Sequence, residues 1–293
     1  MGLKINLHIT QKCNYHCRYC FAHFEDKKDL SVSAWKRIID NIAQSGEVDA
    51  INFAGGEPVL YKGFPELLAY AREKCFRLSV ISNGSLMRDP VLMPPSCFSF
   101  LDTLGISVDS VDPRTLVELG ACTMNHEVLT REKITDLVRL ARSHNPSIRI
   151  KVNTVVTNLN CKEDVTGLGR ELGIDRWKML RMKTFKNEAF SNEALLIGEE
   201  EFASFAKRHD KAVEDVVAEN NMARSYIMVD NSGQLLDNVD EDYHAMGNLL
   251  YENFSDVFRR YSFDRETYES RYAKTACRSA GSTGTEVKIP LSA

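Results

Sequence analysis

The sequence of 293 residues lacks long apolar runs and any excess of positive charge. Its apolar stretches, of which 98–108 is typical, are far shorter than the roughly 20 residues that a membrane-spanning helix needs. It carries 37 basic and 41 acidic residues, for a net charge of -4, and contains no basic block. We therefore expect no membrane span and no nucleic-acid groove built on charge.

The first residues also lack the charged, apolar and small-residue regions of a signal peptide, which predicts a cytoplasmic protein. That compartment keeps thiols reduced, so the eight cysteines are not expected to form disulfides. Three cysteines are grouped near the start, which indicates a metal site. The others are scattered singly, as is typical of small buried side chains: Cys75, Cys97, Cys122, Cys161 and Cys277.

Apolar periodicity alternates between strand and helix along the first part of the chain. It predicts strands at 3–10, 50–53, 77–81, 101–108, 148–156 and 176–182, with helices between most of them. Such alternation implies parallel strands with crossover helices, hence an α/β barrel or a doubly wound sheet. In either architecture, the chemistry lies at the carboxyl ends of the strands.

The pattern changes after Phe185. We predict a helix over 199–218 and a hairpin whose strands cover 226–229 and 234–236. A tail rich in Ser, Thr and Gly follows from Cys277, and we interpret it as a flexible end or as a lid that orders on binding. The predicted organisation is a first domain over 1–185 and an extension over 186–293 that covers the site.

Cys13, Cys17 and Cys20 have the spacing C-x3-C-x2-C on the loop after the first predicted strand. Three thiolates so close in sequence can hold three corners of an iron–sulfur cube, whereas a structural zinc needs a fourth ligand. His8 and His16 are nearby nitrogen donors. A Cys3His zinc site in a non-enzymatic interaction protein is therefore the alternative interpretation.

Glycines and polar residues follow the next strands. Gly55 and Gly56 allow a close approach of the backbone, and Glu57 offers a carboxylate to a ligand ammonium. Asn83 and Ser107 follow the third and fourth strands. Because the carboxyl ends of parallel strands meet at one edge, these residues are expected beside the cysteine loop.

The cysteine spacing, with aromatic residues flanking the last cysteine, resembles the signature of the radical S-adenosylmethionine (SAM) superfamily. The resemblance implies a partial, TIM-like (βα)6 barrel in which the cysteines hold a [4Fe-4S] cluster. SAM would bind the open iron, and an electron from a donor such as flavodoxin or ferredoxin would cleave it to a 5'-deoxyadenosyl radical. The SAM contacts that the resemblance implies are Phe21, Gly55, Gly56, Glu57, Asn83 and Ser107.

A longer series of motifs resembles the viperin family in order and spacing: Asn6-x-His8, Asn52-Phe53, Ser82-Asn83-Gly84-Ser85, Lys151-x-Asn153, Arg176-Trp177-Lys178 and Ser225-Tyr226. Viperins dehydrate CTP, UTP or GTP to the 3'-deoxy-3',4'-didehydro analogue in antiviral defence. The resemblance implies a lyase with a nucleoside triphosphate substrate, and we expect a monomer. It implies Tyr226 as the donor of a hydrogen or an electron, with substrate contacts from Asn6, His8, Lys151, Asn153 and Lys178.

Two positions depart from that family. Ala50 and Ala121 stand where the family carries basic residues, so two positive charges are missing from the expected phosphate cradle. Because of this departure, we keep a second hypothesis: a radical enzyme that acts on another nucleotide or small molecule. The residues that we expect to compensate are Arg181, Lys183, Lys186 or Arg278.

Overall fold

The computed structural model describes residues 2–22, 27–184, 186–187, 190–219, 223–238 and 243–271, so the predicted tail from Cys277 lies outside it. The strands are β1 Leu3–His8, β2 Val48–Ala54, β3 Arg77–Ser82, β4 Thr103–Ser107, β5 Arg149–Val156, β6 Arg176–Arg181, β7 Lys186–Asn187, β8 Phe190–Ser191, β9 Val216–Glu219, β10 Ile227–Val229, β11 Gln234–Asp237 and β12 His244–Asn248. The α-helices are α1 Val32–Ser45, α2 Phe64–Glu73, α3 Pro113–Glu118, α4 Arg131–His144, α5 Thr166–Leu172, α6 Glu199–Arg208 and α7 Phe254–Phe258. Within the described ranges, no helix has both the length and the apolar character to cross a bilayer.

Ten of the strands form one sheet in the order β12-β11-β10-β1-β2-β3-β4-β5-β6-β9. Strands β1 to β6 are parallel neighbours, β9 continues the parallel run beyond β6, and β10 pairs in parallel with β1. Strands β11 and β12 are antiparallel. The predicted α/β fold with six parallel strands is confirmed.

The sheet bends into a partial barrel. No backbone ladder joins β9 to β10 among the described residues, and the sheet order places these two strands far apart. Even so, the hydroxyl of Tyr226, just before β10, donates a hydrogen bond of 2.6 Å to Glu219 at the end of β9. These side chains can meet only across the seam of a sheet that curls round on itself.

Strand β1 shows how the sequence divides the two faces of this sheet. Successive side chains of a strand point to opposite faces. Its apolar residues Leu3, Ile5 and Leu7 are buried in the core shared with the helices. Its polar positions are Lys4, Asn6 and His8, and the last two line the barrel interior. The alternation therefore places every polar side chain of β1 on the functional side.

Helix α1 follows its local signals. The hydroxyl of Ser31 accepts a hydrogen bond of 3.2 Å from the N–H of Ala34, which caps the first turn. Gly46 ends the helix with a φ of 66°, a conformation that glycine adopts without strain. The buried face packs against the sheet through Trp35, Ile38, Ile39 and Ile42.

The prediction of one helix over 199–218 was wrong. Helix α6 ends at Arg208, and Val216–Glu219 forms β9 beside β6. The segment contains Val216 and Val217, whose branched side chains suit a strand. The free edge of β6 offers backbone partners to this segment, and tertiary pairing of that kind overrides a helical pattern.

Candidate active site

One cavity of about 240 Å³ gathers the residues that the sequence singled out. Its walls come from β1 to β6, from the loops at their carboxyl ends and from the start of β10. Of the predicted site residues only Glu57 does not line it. The predicted residues that do are Asn6, His8, Cys13, Cys17, Cys20, Phe21, Gly55, Gly56, Asn83, Ser107, Lys151, Asn153, Lys178 and Tyr226.

The glycine pair after β2 holds the cysteine loop by backbone contacts. The N–H of Gly56 donates to the carbonyl of Thr10, and the N–H of Glu57 donates to that of Lys12, each at 2.7 Å. A Cβ on Gly56 would overlap the carbonyl oxygen of Lys12. The glycines therefore allow the loop after β2 to pack closely against the cysteine loop.

Replacement of Gly56 by alanine is expected to displace the cysteine loop and to lower the iron content of the reconstituted protein severalfold. The added Cβ meets backbone atoms, which cannot move aside as a flexible side chain could. The measurement is iron per chain after anaerobic reconstitution. Gly167→Ala is the matched control, because Gly167 lies in α5 and a Cβ there meets only one ordinary contact. Full iron content in Gly56→Ala would contradict the inference that the glycine pair holds the cysteine loop in place.

The cysteine loop fits an iron–sulfur cluster by its chemistry. All three thiols are free and face the same cavity. Burial raises the pKa of the Cys13 thiol to about 11, and it also raises the pKa of Cys17 and Cys20. The thiols therefore keep their protons until a cationic group displaces them, as metal binding does. The amide of Asn83, 3.8 Å from the Cys13 sulfur, is a donor of the kind that stabilises a coordinated thiolate.

The alternative Cys3His zinc site is not formed by the described residues. Among them, no three side chains of His, Cys, Asp or Glu, the three cysteines included, come close enough together to hold one metal ion. A [4Fe-4S] cluster does not need that arrangement, because each cysteine binds a different iron. His16 is exposed, and His8 lies in the barrel interior with its ring edge-on to Phe21 at 6.2 Å. Burial lowers the pKa of His8 to about 4, so its ring is neutral at neutral pH.

Glu57 differs from its predicted role. Its side chain is fully buried, and its carboxylate accepts hydrogen bonds of 2.8 Å from the Ser82 hydroxyl and from the N–H of Asn83. Burial raises the pKa of Glu57 to about 7. The carboxylate therefore ties the loop after β2 to the loop after β3, and it does not line the cavity.

Lys151 and Asn153 project from β5 with open polar atoms. The ammonium of Lys151 makes no ion pair or hydrogen bond with the residues that the structure describes. Burial, reinforced by the positive charges of Lys178 and Lys4, holds the pKa of Lys151 well below its usual value. The buried side-chain oxygen of Asn153 has no hydrogen-bond partner within the described ranges. The ammonium of Lys151 is suited to an anionic ligand, and the oxygen of Asn153 is suited to a donor such as a ligand hydroxyl.

Lys178, the other predicted phosphate ligand, already has a partner. Its ammonium lies 2.9 Å from Glu219, and both side chains are buried. The same ammonium lies over the ring of Tyr226, 4.4 Å from its centroid. Burial lowers the pKa of Lys178 to about 8, although Glu219 acts in the opposite direction. Sequence reasoning missed Glu219, because nothing near it in the chain resembles a motif.

Lys4 is a second residue, after Glu219, that sequence reasoning missed. It is the strand neighbour of Ala50, one of the positions where a basic residue was expected and is absent. Its side chain has no ion pair among the described residues. Burial and the charge of Arg77 lower the pKa of Lys4 to about 8. The alternation of β1 places Lys4 on the same face as Asn6, a signal that was present in the sequence.

Two of the residues expected to compensate for Ala50 and Ala121 have other contacts in the structure. The guanidinium of Arg181 donates to the carbonyl of Ile197 and pairs with Glu199 at 3.2 Å, away from the cavity. The ammonium of Lys183 lies over the ring of Tyr243. The side chain of Lys186 and all of Arg278 lie outside the described residues.

An amide chain that the sequence did not predict links β3 to β10 through the cavity wall. The Ser79 hydroxyl donates to Asn52, whose amide donates at 3.0 Å to the side-chain oxygen of Asn6. Asn6 in turn donates at 3.0 Å to the carbonyl of Ile227. Asn52 lines the cavity, and it was visible in the sequence as part of Asn52-Phe53. These bonds fix the orientation of Asn6.

Comparison with known proteins agrees with this site. A family model described as the radical SAM superfamily matches residues 7–172, more than half of the chain. The chain belongs to the radical SAM superfamily. A SuiB structure from Streptococcus suis bound to SAM shares the fold of this radical SAM protein, with a TM-score of 0.65 and 16% identity over 92% of this chain and 68% of that chain.

Closer relatives of this radical SAM protein share one name. An S-adenosylmethionine-dependent nucleotide dehydratase of Selenomonas ruminantium is 58% identical over 93% of this chain and 100% of that protein. One from Psychrobacter lutiphocae is 33% identical over 94% of this chain and 96% of that protein. The radical SAM protein therefore belongs to the family of S-adenosylmethionine-dependent nucleotide dehydratases, in agreement with the viperin resemblance. The superfamily uses a [4Fe-4S] cluster and SAM.

Proposed function

We propose that this radical SAM protein removes water from the ribose of a nucleoside triphosphate such as CTP, UTP or GTP, forming the 3'-deoxy-3',4'-didehydro nucleotide. The observation that carries the proposal is the ammonium of Lys151, which has no partner among the described residues and shares one cavity with three free cysteines. An unpaired cation in such a place is costly, and an anionic ligand removes the cost. The names of the relatives support a nucleotide as that ligand.

The cysteine end of the cavity is assigned to the cofactors. Cys13, Cys17 and Cys20 would hold the cluster. Together with SAM, the bound cluster would supply radical chemistry directed at the 4' hydrogen of the ribose. The protein residues at this end bind and orient the two groups. Those that would face SAM are Phe21, Gly55, Gly56, Asn83 and Ser107.

The lysine end of the cavity is assigned to the triphosphate. Lys151 and Lys178 stand in the first half of β5 and β6, whereas the cysteine loop lies beyond the carboxyl end of β1. A nucleotide with its phosphates on the lysines would therefore direct its ribose toward the cluster. Asn153 lies between the two ends and can donate to or accept from the ligand. Such placement is the main task of a protein whose cofactor carries the chemistry.

Four further residues complete the proposed surroundings of the substrate. Neutral His8 and oriented Asn6 face the space between the two ends, where a ribose hydroxyl can bond to them. Tyr226 would donate a hydrogen or an electron to the product radical. Lys4 supplies positive charge next to Ala50, which supports a triphosphate despite the missing basic residue.

Nucleotide binding is expected to take up protons near pH 8. Burial lowers the pKa of Lys4 and of Lys178 to about 8, so both ammoniums are partly deprotonated there in the free protein. A nearby phosphate favours the charged forms and raises both pKa values. Affinity should therefore fall, as the pH rises above 8, by up to about tenfold per pH unit for each of the two lysines, and it should level off below pH 8.

Calorimetry in buffers with different ionisation heats measures that proton uptake. The triphosphate itself is fully ionised above pH 8, so the change belongs to the protein. Lys4→Met is expected to remove part of the uptake, whereas the exposed substitution Lys207→Met should leave it intact. Equal affinities at about pH 8 and about pH 9.5 would exclude the assignment of these lysines to the phosphates.

The function itself is tested by incubating the reconstituted, reduced protein with SAM and each nucleoside triphosphate. We expect nucleotide-dependent formation of 5'-deoxyadenosine together with the dehydrated nucleotide. Nucleoside diphosphates and monophosphates belong in the same assay, because the alanines at positions 50 and 121 favour a ligand with fewer phosphates as the second candidate. The same slow rate of 5'-deoxyadenosine formation with and without any nucleotide would defeat the dehydratase proposal.

The proposal extends to the biological setting that the viperin resemblance implies. The product would act in antiviral defence, with a flavodoxin or ferredoxin as the electron donor. Expression of the chain in a phage-sensitive host should lower plaque numbers, and Cys13→Ala should restore them. Equal plaque numbers with the active chain and the variant would remove the antiviral part of the proposal.

A further inference from the structure

One buried carboxylate joins the two sides of the barrel seam at the cavity. One oxygen of Glu219 is 2.9 Å from the ammonium of Lys178 and accepts the 2.6 Å hydrogen bond from the Tyr226 hydroxyl. Its other oxygen lies 3.3 Å from the guanidinium of Arg271. Glu219 is 7% exposed and does not line the cavity. It therefore acts on a ligand only through Lys178 and Tyr226, which do line it.

The ring of Tyr226 is held between two cations by this arrangement. Lys178 and Arg271 each lie 4.4 Å from the centroid of the ring. Arg271 is anchored a second time, because it donates at 2.8 Å to the carbonyl of Ser225. The carboxylate of Glu219 keeps both cations and the hydroxyl in one geometry, and it offsets their charge.

The same contact opposes nucleotide binding. The ammonium of Lys178 keeps N–H groups free for a phosphate beside its bond to Glu219. The negative charge of the Glu219 carboxylate next to the phosphate site, however, repels the ligand. Glu219 thus has two effects of opposite sign: it orients Tyr226, and it lowers the positive charge available to the triphosphate. Replacing a residue that only stabilises the fold would not raise affinity while lowering turnover.

We propose that Glu219 is a positioning residue that promotes turnover by fixing Tyr226 at the cavity wall and weakens triphosphate binding through its negative charge beside Lys178. The inference rests on the proposed function. It predicts that affinity and turnover change in opposite directions when the carboxylate is neutralised. Loss of a merely structural contact would impair both together.

The test compares Glu219→Gln with Tyr226→Phe and with the double variant, all reconstituted with cluster. Glutamine has the size of glutamate, and the bond from Arg271 to Ser225 remains, so the fold is expected to persist. We expect Glu219→Gln to bind the triphosphate roughly three- to tenfold tighter and to turn over roughly tenfold or more slowly. In the Tyr226→Phe background the effect on turnover should vanish, whereas the gain in affinity should remain.

Binding is measured by calorimetry without reductant, with the nucleotide and with inorganic triphosphate as probes. Turnover is measured as dehydrated nucleotide. Glu200→Gln, on the exposed face of α6, is the control for the same change in charge. Unchanged or weaker binding of inorganic triphosphate by Glu219→Gln, or a parallel loss of affinity and turnover, would overturn the inference. A wild-type protein without nucleotide-dependent product would instead overturn the proposed function, and this inference with it.

Discussion

Replacement of Lys151 by methionine is expected to weaken nucleoside triphosphate binding by roughly 10- to 100-fold, the size of one charge-assisted contact. The substitution keeps most of the side-chain volume and removes the one cation on β5 that faces the cavity without a partner in the described part of the chain. It should also raise the free energy of unfolding by about 1–4 kcal/mol, because an apolar side chain replaces a poorly solvated charge. A gain in stability with a loss of affinity is the expected result for a group placed for a ligand.

Calorimetry and chemical denaturation measure these two effects on the same preparations. Lys207→Met changes the net charge equally at an exposed position of α6 and should leave both quantities within error. Lys178→Met should behave differently from Lys151→Met, since it leaves the buried carboxylate of Glu219 with one partner fewer. An unaltered dissociation constant in Lys151→Met would contradict the assignment of Lys151 to the triphosphate.

Replacement of Cys13 by alanine is expected to reduce iron from about four atoms per chain to nearly none while the chain stays folded. The loop carries no part of the main hydrophobic core, which lies between the sheet and the helices. Iron analysis and visible absorbance report the cluster, and circular dichroism reports the fold. Without the cluster no 5'-deoxyadenosine should form.

Cys75→Ala is the matched control for this loss, because Cys75 is a single exposed thiol outside the cavity. It should keep the full iron content. Iron retained in Cys13→Ala would mean that other residues hold the cluster. A colourless wild-type preparation with one zinc per chain would instead restore the interaction-protein hypothesis.

The site was predictable from the sequence wherever its signals are local. Cys13, Cys17 and Cys20 lie within one loop, and the glycine pair stands directly after a strand. The strict alternation of strand and helix placed both loops at the same edge of a parallel sheet, since every carboxyl end of such a sheet points the same way. Neither inference needed any knowledge of long-range packing.

Prediction failed where a partner distant in sequence decides the outcome. The segment at Val216 was taken as helix because its own pattern allowed it, but the free edge of β6 made it a strand. Glu57 likewise depends on distant partners, because its carboxylate accepts hydrogen bonds from Ser82 and Asn83 of the next loop. In both cases the competing interaction comes from another element of the fold.

The sequence by itself determined the α/β fold, the three-cysteine loop and the set of polar residues that face the barrel interior, because strand alternation and motif spacing are local properties. Only the tertiary structure distinguished Lys151 from Lys178. Both lysines occupy similar positions on neighbouring strands, but β9 brings Glu219 to Lys178 and leaves Lys151 without a carboxylate. The charge that remains for a ligand is set by which carboxylate the neighbouring strand supplies, and β9 becomes the neighbour of β6 only in the folded sheet.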